Sequence, residues 1–253
     1  MSRSNQIDLV NPATRFFQWS GSEGKVQYYD KTEEKNVDVK MPFTFLVLDR
    51  VAQITGGVDH GNEYLGFWSN AVRNTKVQPF TVRSKRGIEV QGLYEQIKGY
   101  TGVRFQQGLY IAYKNGQNLE IGYLKIKGAA LTAWIEFTKK HRNIFQGVFS
   151  IIDAEKKKKG ATTYYEPVFE FSTDVSEKTE NAAIELDKQL QEYLTAYFAQ
   201  QRIEEVEQAH TNAFAAAVGG DGVPDMPAYS GAEPEEQGGF DPSRDNDDLS
   251  IPF

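Results

Sequence analysis

Leu109-Tyr110-Ile111-Ala112-Tyr113 leads through Lys114-Asn115-Gly116-Gln117-Asn118 into residues 119–127, and residues 129–141 follow almost at once. The first and third of these runs are β-rich, and Asn115-Gly116 lies between them. Asn-Gly tolerates the positive φ of a tight turn, so the pair predicts a β-hairpin. Residues 129–141 are good helix formers, with Leu131, Trp134, Ile135 and Thr138 spaced for one buried face. Strand, turn, strand and helix in that order set the frame for the rest of the chain.

Upstream, Phe43-Thr44-Phe45-Leu46-Val47-Leu48 is β-rich with apolar side chains on both faces, as expected of a central strand. Residues 64–68 form a second short run, and residues 80–90 a weaker one interrupted by Gly87. Downstream, residues 145–153 and 164–171 form another strand pair around a loop. Three antiparallel-looking strand regions, a helix and two more strands is the order of an OB-fold. That is a five-stranded Greek-key barrel with its helix between strands three and four. The sequence therefore predicts a mainly β, OB-fold-like barrel over residues 1–175, with residues 1–40 and 70–105 as elaborations or added strands.

A second helix is expected over residues 176–217. Ser176 or Thr179 can cap it, and Glu177 and Glu180 lie in its first turn. Leu186, Leu190, Leu194 and Phe198 recur at i+4, widened by Tyr193 and Tyr197. This face is expected to pack on the sheet domain or on another subunit. Residues 218–253 are rich in Gly, Pro, Asp, Glu and Ser. Such a composition buries too little apolar surface to offset its ordering entropy, so a disordered acidic tail is expected.

Charge divides at the same point. Residues 1–174 hold 24 Lys and Arg against 18 Asp and Glu, whereas residues 175–253 hold 4 against 17. Of the 32 aromatic residues, 25 fall in residues 1–174. A basic, aromatic body with an acidic tail suits a polyanion-binding surface carrying its own tethered competitor. The chain has no Cys, which removes disulfides, thiolate zinc sites and cysteine nucleophiles. His60, His141 and His210 are too scattered to read as a metal site. No run approaches the ~18 apolar residues of a membrane span, and a cytoplasmic location is expected.

Three basic features point to nucleic acid. Lys156-Lys157-Lys158-Lys159-Gly160 is expected in the loop between the last two strands. Four adjacent ammonium groups repel one another, and a phosphate backbone relieves that repulsion. A solubilising hairpin tip is the competing reading. On residues 119–127, alternation sets Tyr123, Lys125 and Lys127 on one side, so that a base can stack on the ring while phosphates meet the cations. A half-buried Tyr with lysines turned to water is the alternative. Arg73, Lys76, Arg83, Lys85 and Arg86 interleave with Trp68 and Phe80, with Arg104 just beyond; Trp68 itself reads as a core residue. Lys139-Lys140-His141-Arg142 reads as a helix C-terminal cluster. No phosphate-loop, Gly-x-Ser-x-Gly or His-Glu-x-x-His pattern is present, so neither an enzyme nor a cofactor is expected.

The chain ends Asp245-Asn246-Asp247-Asp248-Leu249-Ser250-Ile251-Pro252-Phe253. This ending resembles the acidic tip of bacterial single-stranded DNA-binding proteins, which closes in aspartates followed by Ile-Pro-Phe. Asp247, Asp248, Ile251, Pro252 and Phe253 carry the likeness, Asp245 joins them as a candidate partner-binding residue, and Leu249-Ser250 departs from the pattern. The larger basic body looks more like a phage-encoded member. The resemblance implies sequence-tolerant binding of single-stranded DNA in replication, recombination and repair, with replication or recombination proteins recruited through the tip. A strand-annealing recombination protein is the nearest alternative, and an adaptor without DNA binding is a more distant one.

Overall fold

The computed structural model describes residues 9–218, apart from residues 62 and 142, with side chains described as far as Ile203. The expected acidic tail and its tip (Asp245, Asp247, Asp248, Ile251, Pro252 and Phe253) lie outside the described residues. In chain order the elements are β1 (Arg15–Ser20), β2 (Lys25–Asp30), β3 (Lys35–Asp38), β4 (Phe43–His60), β5 (Glu63–Ser69), β6 (Phe80–Ser84) and β7 (Gly87–Gly92). They continue with α1 (Tyr94–Ile97), β8 (Val103–Asn115), β9 (Asn118–Lys127), α2 (Ala129–Lys139), β10 (Val148–Lys159), β11 (Thr162–Ser172) and α3 (Glu177–Val218). The fold is mainly β, with a mixed sheet of 11 strands and a long C-terminal helix.

β4 organises the sheet. Along one edge it pairs with β8 through residues 45–56. Along the other it pairs first with β10 (Phe45↔Phe149) and then, past Thr55, with β5. β8 continues into β9 through the Asn115-Gly116 hairpin, where Gly116 has φ +62°. β1 joins the outer edge of β9 in parallel and carries β2 and β3 beyond it. The far side curls back toward this edge. Tyr165 on β11 donates its N–H to the Gly21 carbonyl at 2.7 Å, and Trp19 Nε1 donates to the Tyr165 carbonyl at 2.9 Å.

The enclosed side holds the main core. Phe17, Phe45, Leu109, Ile111, Phe149 and Trp134 of α2 meet there with almost no exposure. A second cluster, around Ile54, Phe67, Phe80 and Ile97, seals the lobe made by β5, β6, β7 and α1. On the outer side, Leu190 and Leu194 of α3 are buried on Val51, Tyr110 and Tyr123. Thr179 N–H donates to Ser176 Oγ at 3.3 Å, so Ser176 caps α3 as expected. No helix among the described residues is long and apolar enough to cross a membrane.

Two expectations need correction. Residues 80–90 form two strands rather than one interrupted run, with Lys85 and Arg86 at their turn. Lys156, Lys157, Lys158 and Lys159 belong to β10 and not to a loop. Thr162, Thr163, Tyr164 and Tyr165 stand opposite them, and these β-branched and aromatic partners carry the ladder on to Gly160-Ala161.

Candidate nucleic-acid interface

Residues directly opposite each other in a sheet share a face, so the register assembles the outer surface of β9, β8 and β4 in rows. Arg104, Thr55, Trp68 and Arg83 form one row across β8, β4, β5 and β6. Two residues along, Lys127, Gln106 and Gln53 form the next. Gln18, Lys125, Gly108 and Val51 make a third, and Phe16, Tyr123, Tyr110 and Asp49 a fourth. One face thus carries aromatic rings, amides and cations together.

α3 decides how much of this face is open. Its side chains cover Val51, Tyr110 and Tyr123, leaving Tyr123 only 5% exposed. Arg73 holds the helix down. Its guanidinium pairs with Asp49 at 2.7 Å, donates to Gln191 Oε1 at 2.8 Å and lies 5.1 Å from the Phe198 ring centre. Ala71 N–H donates to the Tyr197 hydroxyl at 3.2 Å. Beyond the helix no other described residue covers the face, with Trp68 51% and Phe16 44% exposed.

Two clefts mark the open part. One, of about 300 Å³, is lined by Phe16, Gln53, Thr55, Trp68, Lys125, Tyr193 and Tyr197 among others. The second, of about 480 Å³, lies between the β4–β5 and β10–β11 hairpins. Its lining includes Thr55, Gly57, Tyr64, Arg104, Lys127 and Tyr164. Thr55 belongs to both. Gly57 at φ +148° leaves room for Tyr64: a Cβ there would lie 2.8 Å from the Tyr64 hydroxyl and 2.3 Å from the Leu65 carbonyl.

The electrostatics favour an anion along the cleft. Partial burial lowers the pKa of Lys125, and the neighbouring Lys127 lowers it further. An incoming phosphate restores what desolvation and like charge remove. Asp49 is paired with Arg73, and the exposed Asp59 is the carboxylate among the residues that line the second cleft. Burial raises the hydroxyl pKa of both Tyr110 and Tyr123, keeping them neutral donors. Among the described residues no cluster of three or more His, Asp or Glu is placed to hold a metal ion.

Of the residues expected from sequence, Lys125, Lys127 and Arg83 come together on this face. Tyr123 faces the same way, but α3 encloses its ring. Its hydroxyl hydrogen-bonds to Gln53 Oε1 at 2.5 Å, so it is not an open stacking platform. Trp68, expected in the core, is the exposed ring instead. Arg73 is committed to α3. Lys76 is exposed in the turn before β6. At the β6–β7 turn Lys85 forms an ion pair with Glu63, and Arg86 is exposed.

The lysine run is split by the strand it occupies. Lys156 and Lys158 project from one side, and Lys157 and Lys159 from the other. Lys157 pairs with Glu155 at 3.3 Å and Glu166 at 3.5 Å. It stands opposite Tyr164, which reaches the second cleft. Gln18, Gln53, Gln106 and Phe16 were not anticipated. Their only local signal is alternation, and alternation does not say which strands lie side by side. No family model, curated protein or solved structure matches the chain.

Proposed function

We propose that this chain is a non-enzymatic, sequence-tolerant single-stranded DNA-binding protein, with the outer face of β9, β8, β4 and β5 as its binding surface. The observation that carries the reading is the juxtaposition of exposed Trp68 with Arg83, Arg104, Lys125 and Lys127 on one open face. Unpaired bases expose π-faces that stack on such rings, each worth roughly 1–3 kcal/mol, while the cations follow the phosphates. A duplex hides its base faces and leaves Trp68 and Phe16 without partners.

The fold is read as an elaborated OB barrel. β4, β8, β9, α2, β10 and β11 follow the OB order, with β5, β6, β7 and α1 inserted after its first strand. β4 pairs with both β8 and β10, as a first OB strand does. On this reading the two hairpins flanking the larger cleft correspond to loops that frame oligonucleotide in that fold. The acidic tip then recruits replication or recombination enzymes in the cytoplasm. Phe253 would offer a ring for an apolar pocket, and the aspartates a charge that speeds encounter.

The test is binding of a labelled single strand and an equal-length duplex. It compares the wild type with an R83A/R104A/K127A variant, and separately with alanine at Lys156, Lys157, Lys158 and Lys159. The single strand is expected to bind more tightly, and the triple variant to lose at least about tenfold through lost phosphate contacts. No binding to either at low salt would overturn the proposal and favour an adaptor. Full affinity in the triple variant would move the site elsewhere.

A further inference from the structure

The smaller cleft differs from the rest of the groove in having two aromatic walls. Trp68 and Phe16 come from the sheet, and Tyr193 and Tyr197 from α3, with ring centres 6.0 Å apart in the α3 pair. Its volume of about 300 Å³ lies at the lower end of small-molecule pockets, the scale of one nucleoside. Its floor is polar. Lys125 presents an ammonium group, which has no acceptor. Gln53 Oε1 already accepts from the Tyr123 hydroxyl and, at 3.4 Å, from Gln106 Nε2. That leaves Gln53 its amide nitrogen to offer. Gln106 also lines this cleft, and its amide oxygen is an acceptor suited to the ring N–H that stands beside a keto group in thymine and guanine. The nearby Ser69 hydroxyl is also committed, accepting from Ile54 N–H and donating to the Asn70 carbonyl.

From this we infer that the cleft is a single-base pocket that selects keto bases, thymine and guanine, from the bound strand. The inference rests on the single-stranded DNA reading above and adds a site of selectivity to it. A base entering from the groove stacks between the sheet rings and the α3 tyrosines. The Lys125 ammonium and the Gln53 amide nitrogen then donate to its edge. A keto oxygen, O4 of thymine or O6 of guanine, accepts both. Adenine places its amino group there, and donor meets donor. Lys127 and Arg104, next along the face, hold the flanking phosphates.

The experiment compares the affinity of the full chain for (dT)15 and (dA)15 at one salt concentration. The wild type, K125M and Q53L are measured, with thermal unfolding of each variant as a check on folding. The wild type should favour (dT)15 by about tenfold, within the discrimination one good base-edge contact supplies. In both variants the ratio should fall to about half or less of the wild-type value, mainly by weaker binding to (dT)15. K125M serves alone if Q53L melts early, since Lys125 is only partly buried. Equal wild-type affinities, or a ratio unchanged in folded K125M, would overturn the pocket and leave general strand binding intact. Absence of binding to both oligonucleotides would instead overturn the functional reading beneath it.

Discussion

Tyr123 and Gly108 depend on each other. A Cβ built on Gly108 would lie 1.8 Å from the Tyr123 hydroxyl, so the ring can cross β8 only where a side chain is missing. The same arrangement delivers that hydroxyl to Gln53 and so commits the Gln53 oxygen on the floor of the smaller cleft. Gly108→Ala is expected to cost about 1–3 kcal/mol by overpacking, read as a lower denaturant midpoint. An unchanged midpoint would mean that Tyr123 has room to move. Alternation along residues 119–127 set Tyr123, Lys125 and Lys127 on one side, and they are on one side. Which of the three meets solvent was not legible, because the covering atoms belong to α3, some 70 residues further along the chain.

At the scale of elements, α3 is both a structural cover and a wall of the cleft. Its stripe was visible as Leu186, Leu190, Leu194 and Phe198 at helical spacing, and Leu190 and Leu194 are its most buried members. Leu190→Ala and Leu194→Ala should each destabilise the fold by about 2–5 kcal/mol, measured by chemical denaturation. A loss below about 0.5 kcal/mol would show that the helix is not held by this face. The stripe did not disclose its target. Periodicity shows that one side is apolar, but it carries no information about the surface that side will meet. β10 teaches the converse lesson. Four consecutive lysines read as a loop because charge and β propensity pull apart. The ladder to β11 overrides that local preference by supplying a partner for each residue.

For the molecule as a whole, the main physical fact is the contrast between a basic body and an acidic C-terminal segment. If the segment competes with DNA for the cations on the sheet face, removing residues 245–253 should tighten binding at low salt. The gain should shrink as salt rises and screens the competitor. A salt titration of affinity with full-length and shortened chains measures this, and identical curves would exclude the competition. The sequence by itself determined the elements: the hairpin at Asn115-Gly116, the helix after β9, the α3 stripe, the charge asymmetry and the terminal motif. Each is written in neighbouring residues, as a period of 2 or 3.6, a turn pair or a local composition. Only the tertiary structure decided which residues share the candidate face. Arg104 meets Thr55, Trp68 meets Arg83 and Phe16 meets Tyr123 through pairings between distant segments, and α3 then closes part of the face they build. Exposure of a side chain depends on everything packed around it, and no local period encodes that.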